Sequence, residues 1–464
     1  MRLLTDTEIK LPNIRKLAGK SINFKNAFAQ QALCAPSRNS ILTGRRPDSV
    51  RLYDFYSYWR DEVANFSTIP QLFKQRGYDT YSVGKVFHPG RSSNYTDDYP
   101  YSWSVPPFHA PSEKFKDARV CKDNITKKLQ KNLVCPVTVS DQPGKTLPDI
   151  EILDEALNIL NARNGSKPIF LAVGFHKPHI PIKFPKNFLK KVLIDKVSPP
   201  PHPTIPPRLP TVAWQPWTDV RRRDDIKRLN ITFPFGIMPP EWTLKMKQSY
   251  FAASLYVDSL IGKLLDRVDL RKSIIVLTSD HGWSLGENGM WAKYNNFDVA
   301  LKVPLIIYHP EKHPKTVEAP VELIDLFPTL IELAGIKNVS KCKNTSQISC
   351  YEGSSLLPLM SNQKTDKKFA ISQYPRPSII PQSNTDKPRL KDIEIMGYSI
   401  RTKKYRYTEW ISFNRQFIRD WNTVYGVELY DHIKDPDEAN NVYLEEKYKH
   451  VRNKLSKLLR TQVT

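Results

Sequence analysis

An α/β layered fold joined to a smaller antiparallel β unit is what this chain's sequence predicts, on three observations. Short apolar runs rich in branched residues occupy 168–175, 273–279 and 303–308, and read as buried strands of a sheet covered on both faces. Stretches with apolar residues near helical spacing lie between and around them, at 150–162, 247–269 and 320–335. Strands that alternate with helices imply layers of helix against sheet. Towards the C-terminus, two short alternating segments read instead as a β-hairpin.

In chain order, 150–162 is the first amphipathic helix, followed by the run Pro168-Ile169-Phe170-Leu171-Ala172-Val173-Gly174-Phe175. The proline-rich stretch 198–217 excludes regular structure and reads as a long surface loop. In 247–269, Tyr250, Phe251, Leu255, Val257, Leu260, Ile261, Leu264 and Leu265 approximate one helical face. The strands 273–279 and 303–308 and the helix 320–335 complete this unit. A second stretch rich in proline and serine, 374–388, precedes the hairpin segments 393–400 and 405–410. The expected division is therefore 1–365 and 366–464, and no internal repeat is visible.

The chain has 464 residues, with 70 Lys+Arg against 47 Asp+Glu and a net charge of +23. Its 40% hydrophobic content is enough for a large core and excludes wholesale disorder. No run approaches the ~20 apolar residues of a membrane-spanning helix. A positive balance suggests anionic partners. No zinc-finger spacing, RNP-type motif or basic helix before heptads is present, so nucleic acid is not expected. An acidic small molecule or a sulfated polysaccharide suits the charge equally well.

Of five cysteines, two close pairs have the spacing of small stapled loops, and Cys34 is left alone. Seven Asn-x-Ser/Thr sequons, at Asn65, Asn94, Asn124, Asn164, Asn230, Asn338 and Asn344, fit a glycoprotein of the secretory route. The opening residues Met1-Arg2-Leu3-Leu4-Thr5-Asp6 lack the apolar stretch of a secretion signal.

One motif carries chemistry. Residues 34–45 read Cys34-Ala35-Pro36-Ser37-Arg38-Asn39-Ser40-Ile41-Leu42-Thr43-Gly44-Arg45. A lone cysteine is by default an inert buried thiol, but this context supplies companions. Lys85 and His88 stand three residues apart in Ser82-Val83-Gly84-Lys85-Val86-Phe87-His88. His176 closes the 168–175 strand, where open α/β sheets place their sites, and Lys293 sits in Trp291-Ala292-Lys293-Tyr294. Asp280 and His281, in Thr278-Ser279-Asp280-His281-Gly282, end another strand. Asp280 alone is a poor site for a hard cation, which takes several carboxylate oxygens.

The segment 34–45 matches the Cys-x-Pro-Ser-Arg-x-x-x-Leu-Thr-Gly-Arg signature of type I sulfatases at eight fixed positions in twelve. The resemblance extends through Gly44–Asp48, Arg51–Phe55, Ser57–Arg60, Gly84–Gly90, His176–Pro181, Ser279–Trp283 and Ser372–Pro377, from about Pro12 to about residue 440. It implies an alkaline-phosphatase-like α/β sandwich, with a mixed central sheet flanked by helices and a small C-terminal α+β subdomain. Residues 1–365 would then be the catalytic domain. The implied reaction is hydrolysis of the 2-O-sulfate of terminal iduronate in dermatan sulfate and heparan sulfate, in lysosomes.

Position by position, the resemblance implies that Cys34 is converted to formylglycine by a formylglycine-generating enzyme and is the nucleophile, steadied by Arg38. Lys85 and His88 would hold the formylglycine hydroxyls, with His88 a base for sulfate expulsion. His176 and Lys293 would bind the sulfate, His176 protonating the leaving oxygen. Asp280, His281 and the residue at Cys34 would ligate calcium, and Trp283 and Tyr294 would line the substrate pocket. The family's two disulfides fall on Cys121–Cys135 and Cys342–Cys350.

Two departures stand out. The family opens with a strand ending in Asp-Asp, two further calcium ligands, and no Asp-Asp follows an apolar run upstream of Cys34. The expectation is a longer natural chain carrying that strand and a signal peptide. The stretch between Pro310 and Val321 is shorter than in the family and reads as a loop deletion. A catalytically impaired relative that binds sulfated glycosaminoglycans without turnover is the alternative reading.

Overall fold

The strands expected from the sequence all form, but they divide between separate sheets. A computed structural model describes residues 8–123, 127–163, 165–344, 347–363, 365 and 367–463. The sequon residues Asn124 and Asn164 and the opening residues 1–6 lie outside these. The five remaining sequon asparagines, Asn65, Asn94, Asn230, Asn338 and Asn344, are all exposed.

In chain order the elements that position the site are β1 (Ile22–Phe28), α1 (Cys34–Thr43), β2 (Asp79–Gly84), α2 (Pro148–Ala162), β3 (Ile169–Gly174), α3 (Pro240–Leu265), β4 (Ile275–Thr278), β5 (Lys302–Tyr308), β6 (Lys315–Glu322) and α4 (Leu326–Leu333). The C-terminal part adds β7 (Phe369–Arg376), β8 (Ile395–Thr402), β9 (Tyr405–Phe413), β10 (Arg419–Asp431) and α5 (Lys449–Val463). The first sheet has the order β6-β1-β5-β4. It is mixed, because β1 runs parallel to β6 while β1–β5 and β5–β4 are antiparallel. The parallel pair β2–β3 stands beside it, in register from Asp79–Ile169 to Gly84–Gly174. The last four strands form an antiparallel sheet in sequence order, on which α5 packs through Leu455 and Leu459.

β3 and β4 depart from the expectation of fully buried strands. Every residue of both is only partly buried. Among the described residues, β3 pairs along one edge with β2, and β4 along one edge with β5. How far a strand is buried depends on what packs over its faces and beside its edges, not on its composition alone.

Two further differences have local causes. Residues 320–322 continue strand β6 rather than opening a helix, because Pro320, Val321 and Glu322 pair with Asn26, Ala27 and Phe28. The helix α4 starts only after a reciprocal cap, in which Glu322 and Asp325 each accept the other's backbone N–H. Tyr374, Pro375 and Arg376, expected in a loop, belong to β7. Pro375 is tolerated because β7 is an edge strand with a free N–H side. The helix expected at 247–269 begins earlier, at Pro240, whose ring suits the first helical turn.

Candidate active site

Cys34 is the first residue of α1, after Leu33 in extended conformation (φ −151°, ψ 136°). Pro36 falls in the first turn, where its missing N–H costs no hydrogen bond. The helix stops at Gly44, whose φ of 67° is left-handed, and a Cβ there would lie 2.6 Å from the Phe327 ring. Any other residue would be strained in its backbone and would collide with α4. This geometry fixes the far end of the helix and so the direction of the motif. The Cys34 thiol, 2% exposed, sits at the positive end of the helix dipole.

Three groups surround its Sγ: Lys293 Nζ at 2.8 Å, His281 Nε2 at 3.4 Å and Lys85 Nζ at 3.6 Å. Lys293 Nζ also lies 3.0 Å from His281 Nε2. His281 Nδ1 is 2.8 Å from the Gly282 carbonyl, an acceptor only, so Nδ1 carries a proton and donates it there. Arg38 ties the two sheets together at this point. Its Nε donates to Asp280 Oδ2 at 2.9 Å, beyond β4, and its terminal nitrogen donates to the carbonyls of Lys85 and Val86, beyond β2. Ser37 Oγ adds a bond to the Asp280 carbonyl. The C-terminal ends of β2 and β4 thus converge on the start of α1.

Two imidazoles, His88 and His176, lie within the field of Lys85 and Arg38. His88 stacks near Phe55, with ring centroids 4.6 Å apart. The His176 backbone N–H donates to Asp149 Oδ1 at 2.5 Å, at the N-terminus of α2, and its Nε2 faces Glu113 Oε2 at 3.5 Å. Lys177 turns inward, donating to the carbonyls of His179 and Pro181 at 2.6 and 2.7 Å. A small cavity opens here, lined among others by His176, His179, Lys116, Lys183 and Glu113.

Burial raises the Cys34 thiol's pKa, but Lys293 and Lys85 more than offset this and hold it well below the ordinary range. Asp280 is likewise pushed up by burial yet held far below the carboxylate range, chiefly by Arg38 and His281. Burial and then Lys85 and Arg38 bring His88 down to about 2. His176 is held well below its usual value by burial, with Lys85, Lys177, Arg38 and Lys116. Burial is also the main cause that lowers Lys177 to about 7. So much positive charge in a desolvated pocket favours an anion as its occupant.

Cys34, Asp280 and His281 bring candidate ligand atoms within 4.8 Å of one another. They do not make a calcium site by themselves. A hard dication takes ~6–8 oxygens, whereas this set offers one carboxylate, already engaged by Arg38, and an ammonium stands 3.0 Å from the imidazole nitrogen. A second cluster, Asp298, His432 and Glu438, is filled by Arg401 and Arg406. Formylglycine does fit at residue 34, since three polar groups aimed at a buried sulfur exceed what an inert thiol needs.

Trp283 and Tyr294 lie in the wall behind the site, 6% and 2% exposed. Trp283 is 6.5 Å from both His179 and Tyr250, centroid to centroid. The Tyr294 hydroxyl donates to Asp219 at 2.6 Å, and its carbonyl accepts from Arg376 at 2.8 Å. Both expected disulfides form, Cys121–Cys135 and Cys342–Cys350, with Cα separations of 5.1 and 4.9 Å. Reasoning from sequence missed Glu113, Lys116 and Asp149. Asp149 had a signal, an acidic residue after Pro148 at a helix start. Glu113 and Lys116 lie in an irregular turn with none.

Fold and site together define a hydrolase of sulfuric esters. A sulfatase family model matches residues 1–336, and a model for the C-terminal part of N-sulphoglucosamine sulphohydrolase matches 286–464. The chain belongs to the sulfatase family. It is 47% identical to iduronate 2-sulfatase of Homo sapiens, over 94% of this chain and 88% of that one. The Mus musculus iduronate 2-sulfatase is also 47% identical, over 94% and 87%. Among solved structures, a complex with D-glucosamine-2-N,6-O-disulfate, described as its substrate, superposes with a TM-score of 0.71 at 22% identity, covering 98% of this chain and 92% of that one. The phosphonate monoester hydrolase of Agrobacterium radiobacter does so with a TM-score of 0.71 at 18% identity, covering 100% and 92%. These two likenesses concern the fold.

Proposed function

We propose that this sulfatase removes the 2-O-sulfate from terminal iduronate of dermatan sulfate and heparan sulfate, in lysosomes. The observation that carries the reading is the ring of Lys293, Lys85 and His281 around Cys34 Sγ, in a chain so similar to iduronate 2-sulfatase. The exposed sequons and two disulfides support passage through the secretory route.

Converted to formylglycine by its generating enzyme, residue 34 would supply, as the hydrate of its aldehyde, the hydroxyl that attacks sulfur. The chain's own residues do the rest. Lys85 and Lys293 hold the sulfate's oxygens and offset the negative charge that spreads over them in the transition state. Arg38 keeps the ends of β2 and β4 together, which sets the spacing of Lys85 and Asp280. His176 donates a proton to the departing sugar oxygen. Its depressed pKa keeps it neutral until sulfate arrives, and the sulfate's charge favours the protonated form. His88, kept neutral by the same cations, is free to accept a proton when sulfate leaves. No step is assigned to calcium.

The test is sulfate release by the chain co-expressed with a formylglycine-generating enzyme, with calcium supplied. Substrates are disaccharides sulfated at the iduronate 2-O, glucosamine 6-O or glucosamine N position. Release confined to the 2-O-sulfated iduronosyl substrate is the expected result, and release only from the others refutes the assignment. The single carboxylate of the Asp280 cluster favours one further reading, a relative that binds sulfated chains without turnover. It predicts salt-sensitive heparin binding and no sulfate release from any of the three.

A further inference from the structure

The disulfide-closed hairpin described over 121–123 and 127–135 plays no part in the chemistry above, yet it carries several lysines on a backbone held at several points. Cys121 pairs with Gln130 and Lys122 with Leu129 across the hairpin, and the Cys121–Cys135 bond closes it. Buried Asp225 accepts the backbone N–H groups of Leu133 and Val134 at 2.7 and 3.0 Å. Asp224 accepts that of Lys131 at 2.8 Å. The hairpin and the segment 223–228 therefore form one unit.

The acids in this unit are already engaged. Asp224 faces Arg119 at 3.6 Å, Asp117 pairs with Arg223 at 2.7 Å, and Asp123 pairs with Arg228. Lys116, Lys122, Lys131 and Lys227 are exposed, and none is in an ion pair among the described residues. A shallow groove lined by Arg119, Gln130, Asp224, Lys227 and Arg228 runs between the two parts.

This surface continues towards the cavity that holds His176. Lys116 lines the cavity that contains His176, and Lys183 Nζ holds the Lys116 carbonyl at 3.2 Å. From Lys116 to Arg119 the chain advances three residues, a reach of at most ~11 Å. A polyanion whose end enters the pocket would meet the groove within a few sugar units.

We propose that this hairpin and groove form a second binding site, outside the catalytic pocket, for the internal sulfated sugars of a glycosaminoglycan chain. The site would hold the polymer while its terminal sugar is processed, and this role rests on the function proposed above. Binding itself does not, since clustered lysines attract a sulfated chain through release of its counterions whether or not turnover follows. The tied backbone matters here because only the lysine side chains, and not the main chain, have to be ordered on binding.

The test compares wild type with the triple variant Lys122→Glu, Lys131→Glu, Lys227→Glu, using heparin as the probe. A control with Lys449→Glu, Lys454→Glu and Lys457→Glu on α5 makes the same change in net charge. We expect the hairpin variant to lose about tenfold or more in affinity near physiological salt, with a salt dependence shallower by about two ions. The control should lose less than threefold. A loss under threefold in the hairpin variant, or equal losses in both, overturns the proposal. Thermal unfolding of each variant shows whether the fold is kept. If the hairpin variant unfolds, Lys122→Gln with Lys227→Gln is measured against the same threshold. Heparin affinity reports on the groove even where no sulfate is released, so failure of the catalytic reading stays distinguishable.

Discussion

Lys293→Met tests the electrostatic core of the proposed mechanism with little disturbance of packing. Met has similar length and no charge, and position 293 is 2% exposed, so the fold should accept it. The lost ammonium lies 2.8 Å from Cys34 Sγ and 3.0 Å from His281 Nε2. A unit charge ~4 Å from a developing negative charge contributes about 4 kcal/mol at an effective dielectric constant of ~20. Lys85, 3.6 Å from the same sulfur, remains and recovers part of this, leaving a loss of about 3 kcal/mol. The expected result is a fall of ~10²-fold in kcat for sulfate release from a 2-O-sulfated iduronosyl disaccharide. Steady-state kinetics over a range of substrate concentrations separates kcat from KM. Lys293→Arg should not restore activity, because the bulkier guanidinium cannot occupy the space between the sulfur and the imidazole. A fall in kcat of less than fivefold for Lys293→Met would refute the argument that this ammonium stabilises the transition state.

Other outcomes follow from the same geometry. Gly44→Ala places a Cβ 2.6 Å from the Phe327 ring at a φ of 67°, and should cost ~2–4 kcal/mol from backbone strain and overpacking, read as a lower urea midpoint. Glu113→Gln removes the carboxylate that faces His176 Nε2 at 3.5 Å. The His176 pKa then falls further, less of the protonated acid is present, and kcat near pH 6 should drop about tenfold; an unchanged pH profile would exclude this role. His88 has its folded pKa lowered to about 2, below the ~6.5 of an unfolded histidine. The unfolded chain therefore binds the extra proton as pH falls below ~6.5, and stability drops by about 2 kcal/mol between pH 6.5 and 5. Denaturant titration of His88→Phe should show that much less pH dependence than wild type.

Much of the site was legible in the sequence because its residues are tied to local features. The spacing of Cys34, Pro36, Arg38 and Gly44 is that of one helix with a defined start and a left-handed stop. His176 and Asp280 each follow a branched apolar run by two residues and Lys85 directly follows β2, and strand ends are where α/β folds expose chemistry. Periodicity also located α2, α3 and the β8–β9 hairpin. These properties depend only on near neighbours in the chain, so local sequence alone determined them.

Only the tertiary structure decided what those pieces do together. Arg38 reaches residues 47 and 242 positions away in sequence, and no local pattern could reveal that it joins the ends of β2 and β4. Glu113 faces His176 across a turn without periodic structure, so nothing in its own neighbourhood marked it. Residues 320–322 were assigned to a helix from their apolar spacing, yet pairing with β1 holds them as strand, since long-range hydrogen bonds outweigh weak local propensity. The partial burial of β3 and β4 likewise depends on which remote segments pack over and beside them, which composition does not encode. Side-chain chemistry and short-range spacing came from the sequence. Distances between charges, and hence the pKa shifts around Cys34, arose only when remote segments closed into one desolvated pocket.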